Sequence, residues 1–91
     1  MERERIEEIQ RAYSDAEELI EEIERVNTIE EINDLIDDYE DNLNQNTGWF
    51  TLEKINVKED EIIDEHAIAD EKETIINQLK DLLAWVDDML G

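Results

Sequence analysis

The spacing of apolar residues in the first third of the chain limits the fold more than any other feature of the sequence. The apolar positions there follow one another at steps of three, four, three, four and three residues. They are Ile6, Ile9, Tyr13, Ala16, Ile20 and Ile23. Such steps place side chains on one stripe of an α-helix, which predicts a helix over residues 2–26. Ala12, Leu19 and Val26 widen the stripe to about three residues in seven, as is typical of helical bundles.

A start signal and a further apolar stripe predict a second helix. In Thr28-Ile-Glu-Glu31, the Thr28 hydroxyl can accept one free backbone N–H and the Glu31 carboxylate another, which is a capping box. The stripe that follows consists of Ile29, Ile32, Ile36, Tyr39 and Leu43, with Leu35 alongside. The helix should end near residues 45–46, where Asn46 or Gly48 turns the chain. Because the connection to the first helix is short, the two helices should form an antiparallel hairpin.

The stretch after Gly48 has no helical period. We expect a short irregular or strand-like segment near residues 49–58, because β-branched and aromatic residues are frequent there. A helical pattern returns at Glu59. The run from Asp70 to Thr74 is almost wholly charged, so a kink or a break is predicted near Ala69–Asp70.

The final segment is the most apolar part of the chain. Nine of the sixteen residues from Ile75 to Leu90 are large and apolar. A helix of this kind needs neighbours on two sides, so it is either the central helix of a bundle or a helix that also meets another chain. The length of 91 residues fits a single domain over residues 1–91. We therefore predict an all-α fold, a small antiparallel three-helix bundle, or a four-helix bundle if the last segment breaks.

The chain also carries a large and uneven negative charge. Twenty-nine Asp and Glu residues stand against eight Lys and Arg residues, which gives a formal net charge of -21. Between Thr28 and Gly48 there are seven acidic residues and no basic residue. Six of these lie away from the apolar stripe of the second helix and form the acid ridge: Glu30, Glu31, Asp34, Asp37, Asp38 and Asp41. Because like charges one turn apart destabilise a helix, this pattern costs stability.

The acid ridge predicts a basic partner. Carboxylates one turn apart on a helix are separated by about 5 to 6 Å, a spacing broadly similar to that of phosphates along a nucleic acid strand. A charge run is ordinarily only a solvated face. This one lacks the Lys or Arg that ordinary surface helices carry four residues away. The acidic balance argues against direct binding of nucleic acid or of anionic membranes. We therefore expect a basic nucleic-acid-binding protein as the partner.

Apolar residues predict two further contact sites. Trp49 follows the turn after the second helix and is a candidate partner-binding anchor, whereas Phe50 is expected in the core. In the last helix, Leu82, Trp85 and Met89 are spaced by three and four residues. They are a candidate interface for a homodimer.

Residues suited to catalysis or metal binding are few. The chain has no Cys, and its only His, His66, has no second His or Cys with which to bind a transition metal. Two acidic segments, Glu17–Glu21 and Glu31–Asp34, resemble the paired motifs of all-helical nucleotide pyrophosphohydrolases of the MazG type. The resemblance covers less than a quarter of the chain, and the gap between the segments is shorter than that family's. It implies Mg²⁺ held between two helices. Apart from that, we expect no catalytic residue, cofactor or metal site.

These patterns favour a non-enzymatic inhibitor that imitates nucleic acid. In size, charge and predicted acid ridge, the chain resembles phage and mobile-element products that block restriction enzymes or CRISPR nucleases, without sharing a family motif with them. The alternative is an acidic adaptor or assembly protein that dimerises or docks through its C-terminal apolar helix. A MazG-like pyrophosphohydrolase comes third. The charged N-terminal segment and the lack of Cys predict a cytoplasmic protein without a signal peptide or membrane span.

Overall fold

The computed structural model describes residues 2–55 and 65–91. It contains three helices: α1 (Arg3–Arg25), α2 (Ile29–Thr47) and α3 (Glu65–Leu90). Within the described ranges there is no strand. The predicted all-α, three-helix bundle is therefore confirmed, and the molecule is elongated, with principal-axis extents of 50 × 19 × 18 Å.

The helix α3 is continuous where a break was predicted. It runs through Ala69–Asp70 without interruption. The reason is that Ile68 and Ile75 stand seven residues apart, on the same face of one helix, and both pack into or against the core. Of the charged residues between them, Asp70 and Glu73 are exposed. Residues 59–64, which the sequence also predicted as helical, lie outside the described residues.

The first helix, α1, is the centre of the bundle. It packs against both α2 and α3, whereas α2 and α3 approach each other at few points. Its fully buried residues are Ile9, Ala12, Ala16, Leu19 and Ile23. The predicted helical period is correct. The most deeply buried side chains, however, are rotated around the helix from the predicted stripe, because Ile6, Tyr13 and Ile20 are only half-buried. A helix with neighbours on two flanks buries a wide stripe, and the small residues Ala12 and Ala16 allow close approach. The apolar α3 is therefore not the central helix.

The cap at Thr28 and the turn at Gly48 form at the ends of α2 as the sequence predicted. The Thr28 hydroxyl accepts a hydrogen bond from the backbone N–H of Glu31 at 3.1 Å, which starts the helix. At the other end, Gly48 has a φ of 82° and its N–H donates to the carbonyl of Asn44. Only glycine adopts this left-handed conformation at little cost, so the chain turns there. The helix continues one residue beyond the predicted end, to Thr47.

An extended segment, residues 49–55, runs back along α2 and is called the strap. The side-chain amide of Asn44 donates to the carbonyl of Phe50 at 3.0 Å. Near the other end of α2, the Asn33 amide donates to the carbonyl of Ile55 at 3.0 Å and accepts from its N–H at 2.8 Å. The lengths agree, because eleven helical residues and five extended residues both span about 16 Å.

The strap fills the space that α2 and α3 leave between them. Its Phe50 and Leu52 side chains are buried in the core, as predicted for Phe50. On its other side it borders α3 at Thr74, Ile75 and Gln78. The strap therefore closes the side of the bundle opposite α1. Residues 56–58 of the predicted irregular segment lie outside the described residues.

Candidate partner-binding surfaces

The acid ridge lies on the surface of α2. All six of its residues are exposed. The opposite side of the helix is held against the bundle by Ile29, Ile32, Ile36 and Leu43, which are buried. Because a helix fixes the angular position of each side chain, burial of this stripe turns the acid ridge outward. The structure thus brings the six predicted partner-binding carboxylates onto one face.

One cation reaches the acid ridge from outside α2. The Nζ atom of Lys54, carried by the strap, lies 2.7 Å from Oδ2 of Asp37. This hydrogen bond raises the pKa of Lys54, and the charges of Asp37, Asp34 and Glu40 add to the effect, although desolvation opposes it. Both side chains are 54% exposed, so the pair contributes little to stability. The sequence did not predict it, because Lys54 lies far outside the helical spacing of Asp37.

Two other cations bind helix ends instead of the acid ridge. Arg5 donates to the carbonyls of Asn46 and Thr47, both at 3.0 Å, at the C-terminus of α2. Lys72 donates to the carbonyl of Glu24 at 3.3 Å, near the C-terminus of α1. The last carbonyls of a helix lack partners and carry partial negative charge, which explains why cations settle there. These cations therefore leave the charge of the acid ridge in place.

Negative charge also governs the outer sides of α1. The charge of Glu17 raises the pKa of Tyr13, followed by a hydrogen bond to Glu17 and the charge of Asp87 on α3. Burial raises the pKa of Tyr39, with Glu18 adding charge and a hydrogen bond. In both cases, neighbouring carboxylates make it harder for the tyrosine to ionise. The negative field therefore extends around the bundle, beyond the acid ridge.

At the end of the bundle where α2 and α3 finish, aromatic residues come together. Trp49 is 47% exposed and meets the rings of Phe50 and Trp85 edge to face, at centroid distances of 5.6 and 5.4 Å. Trp85 is half-buried, and Met89 is 39% exposed. The sequence predicted Trp49 and Trp85 as parts of two separate sites. The structure places them in contact, which no local pattern shows.

Leu82 has a different position from its predicted neighbours in the oligomer interface. Its side chain is fully buried in the core of the bundle. Leu82 is therefore a core residue and does not share the exposed surface of Trp85 and Met89, contrary to the prediction. The physical reason is that α3 packs against α1 through Ile75, Leu79, Leu82 and Val86.

The acidic segments that resemble MazG motifs do not converge in the structure. Glu17, Glu18 and Glu21 are exposed on α1, and Glu31 and Asp34 are exposed on α2. Among residues 2–55 and 65–91, no three His, Asp or Glu side chains are grouped closely enough to hold a metal ion. Burial of Leu19 and Ile32 turns the carboxylates beside them outward. His66 is also exposed.

Comparison with known proteins leaves the function to be argued from this geometry. No protein-family model, curated protein or solved structure matches the chain. Within the described ranges, no helix combines the length and the apolar character needed to cross a bilayer.

Proposed function

We propose that this protein is a non-enzymatic inhibitor that imitates nucleic acid and occupies the basic DNA- or RNA-binding surface of a target protein. The observation that carries the proposal is the acid ridge: six exposed carboxylates on one rigid helix, of which Asp37 alone has an ion-pair partner among the described residues. The proposed targets are restriction enzymes, CRISPR nucleases and similar defence proteins of bacteria. A phage or mobile-element origin would fit such a role.

The charge density of the whole molecule supports this proposal. A net charge of -21 over a length of 50 Å corresponds to one net negative charge per 2.4 Å (50 divided by 21). A nucleic acid duplex carries about one charge per 1.7 Å of its axis. A channel lined with Lys and Arg would therefore meet about 70% of the charge per unit length that a duplex presents.

The mechanism is occupancy without chemistry. Long-range attraction between the negative bundle and a basic surface speeds the encounter of the two proteins. At contact, the carboxylates of the acid ridge pair with Lys and Arg side chains that would otherwise bind phosphates. Binding should therefore weaken steeply as salt rises, and a duplex should compete for the same surface.

The first test compares two variants with equal net charge. In the ridge variant, Asp34, Asp37, Asp38 and Asp41 are changed to Asn. In the control variant, Glu17, Glu18, Glu21 and Glu24, which are exposed on α1, are changed to Gln. The probe is a fluorescent octa-arginine peptide at low salt, measured by anisotropy. We expect the ridge variant to bind about tenfold more weakly than wild type and the control variant to lose less than about threefold.

The contrast between the variants decides the proposal. Equal losses in both variants would mean that overall charge, and not the acid ridge, attracts cations. No loss in the ridge variant would remove the proposal altogether. Affinity capture from a bacterial lysate then extends the test, since proteins captured by wild type should be released by added duplex DNA and should not be captured by the ridge variant.

A second candidate function has its own observation. The half-exposed Trp49 and the exposed Met89 give the end of the bundle an apolar surface. This surface supports the alternative of an adaptor or assembly protein that dimerises or docks through the C-terminal helix. The two functions differ in salt dependence, because apolar docking should persist at high salt.

A further inference from the structure

We propose that Trp49, Trp85 and Met89 form one anchor surface, and that its occupant is an apolar pocket rimmed by Lys or Arg on the basic partner. A second copy of this chain is not the occupant. The inference rests on the proposed function, since the partner that covers the anchor surface is the basic protein that binds the acid ridge.

The anchor surface is held in place before any partner arrives. Trp49 meets Phe50 and Trp85 edge to face, with interplanar angles of 84° and 74°. Its backbone N–H donates to the Thr47 hydroxyl at 3.3 Å. Met89 stands four residues after Trp85 and therefore on the same side of α3. A partly exposed aromatic ring fixed by its neighbours loses little freedom on binding, as is typical of interface hot spots.

Acidic side chains flank the anchor surface on α3. Asp81 and Asp88 are exposed and lie four residues before and three residues after Trp85, on the same side of α3. The last turn of α3 contains no basic residue, and its carbonyls add partial negative charge. Arg5, near the end of α2, is engaged with two carbonyls and with Glu8. Charge complementarity therefore favours a pocket with a basic rim.

The size and charge of the surface argue against a second copy. The ring system of Trp presents at most about 250 Å², so Trp49 at 47% exposure offers on the order of 100 Å², and Met89 offers less. A stable protein interface buries about 800 Å² on each partner. A homodimer would have to add contacts between two molecules that each carry a charge of -21. A basic partner gains those additional contacts from the acid ridge.

One partner can cover both surfaces. Trp49 follows α2 directly, after the turn at Gly48. Asp41, the last residue of the acid ridge, is six helical residues before Thr47, which is an axial distance of about 9 Å. The acid ridge therefore ends about two helical turns before the turn that carries Trp49, and in this proposal the two surfaces form a single footprint, the first supplying charge and the second apolar contact.

The test uses two defined peptides. One is octa-arginine followed by Leu-Phe-Leu, and the other is octa-arginine followed by Ser-Ser-Ser. Both should bind wild type through the acid ridge at low salt. We expect the apolar tail to add about tenfold in affinity, which corresponds to about 1.4 kcal/mol, and to shift the tryptophan emission to shorter wavelength. Trp49→Ala should abolish this advantage of the apolar tail.

Neighbouring residues on α3 supply a matched pair of variants. Met89→Ser should also remove the advantage of the apolar tail. Leu90→Ser is the control, because Leu90 is 38% exposed, like Met89, but borders Gln10 and Tyr13 on the other side of α3. Leu90→Ser should keep the advantage. Unchanged melting temperatures would show that each variant is folded.

Each remaining outcome contradicts the inference in a distinct way. If both peptides bind wild type equally, or if Leu90→Ser acts like Met89→Ser, the anchor surface is overturned while the acid ridge stands. If neither peptide binds wild type at low salt, the proposed function fails and this inference with it. If wild type sediments as a dimer in high salt and Trp49→Ala restores the monomer, a second copy is the occupant.

Discussion

At the scale of single residues, the bundle is held together by polar side chains that reach backbone groups of other elements. Arg5 joins the start of α1 to the end of α2, and Lys72 joins α3 to the end of α1. Thr47 is the one buried polar residue in the described ranges, and its hydroxyl accepts from the N–H groups of Trp49 and Phe50. Each bond pairs a backbone group that the local helix or turn leaves free.

Asp15 is a residue whose charge works against the fold. Burial raises the pKa of Asp15, and the charge of Glu18 one turn away adds to the effect. When the pH is above the raised pKa of the folded protein, Asp15 is ionised and its charge destabilises the folded state. When the pH is below the ordinary value of 3.8, the acid is neutral in both the folded and the unfolded state. Asp15→Asn should therefore stabilise the protein at neutral pH by at least a few tenths of a kcal/mol, the cost of one like-charge pair.

Urea denaturation at several pH values measures this effect. The gain from Asp15→Asn should shrink as pH falls towards the ordinary pKa of 3.8, because the pKa of folded wild-type Asp15 lies above that value and the acid is neutral in both states below it. Glu21→Gln, an exposed change on the same helix, is the control for loss of one charge. A gain that is the same for both variants at every pH would show that burial of Asp15 is unimportant.

At the scale of elements, the strap is the least regular part of the described structure and depends on a few side chains of α2. Its hydrogen bonds to α2 are made by Asn33 and Asn44, and its apolar contacts by Phe50 and Leu52. The amide of Asn33 donates and accepts at once, as a neighbouring strand would. The strap is therefore docked on a helix by side chains that act in place of a β-ladder.

Loss of Asn33 should release the far end of the strap. Asn33→Ala leaves the N–H and carbonyl of Ile55 without their partner, which should lower the free energy of unfolding by about 1 to 3 kcal/mol. Asn42→Ala, an exposed change on the same helix, should lower it by less than about 0.5 kcal/mol. Urea denaturation gives both values. Similar losses in the two variants would show that Asn33 does not fix the strap.

The elements also show how far the sequence alone was informative. The helices α1 and α2 and the cap at Thr28 follow from local spacing, so they were predicted with nearly the observed bounds, whereas the break predicted near Ala69–Asp70 is absent from α3. The sequence did not predict which side chains of α1 are most deeply buried, because that depends on where α2 and α3 pack around the helix. The path of the strap, the pair of Lys54 with Asp37 and the contact of Trp49 with Trp85 join residues that are distant along the chain. Local periodicity contains no information about such contacts.

At the scale of the whole molecule, self-repulsion opposes the compact state. The net charge of -21 is spread over a bundle only 19 × 18 Å across. Most of the described ion pairs are exposed and link residues on adjacent turns of the same helix, so they offset little of this repulsion. The stability of the bundle rests on its apolar core, and the charge lowers it.

Salt should therefore stabilise the free protein. Screening of the repulsion by 0.5 M NaCl, relative to a buffer of low ionic strength, should add about 1 kcal/mol, or about 4 to 8 °C in Tm. Thermal melts followed by circular dichroism measure the change, and KCl at the same ionic strength should give the same result. A Tm that does not rise with either salt would show that repulsion is not a significant part of the stability.

The antiparallel arrangement around α1 also decides how the protein should be handled in the laboratory. The start of α1, the end of α2 and the end of α3 all lie at the pole that holds Trp49. A bead attached at the start of α1 or at the end of α3 would therefore stand near that tryptophan. The chain has no cysteine, so a thiol placed at exposed Asn27, at the opposite pole, would be unique and would orient every immobilised molecule with Trp49 facing away from the support.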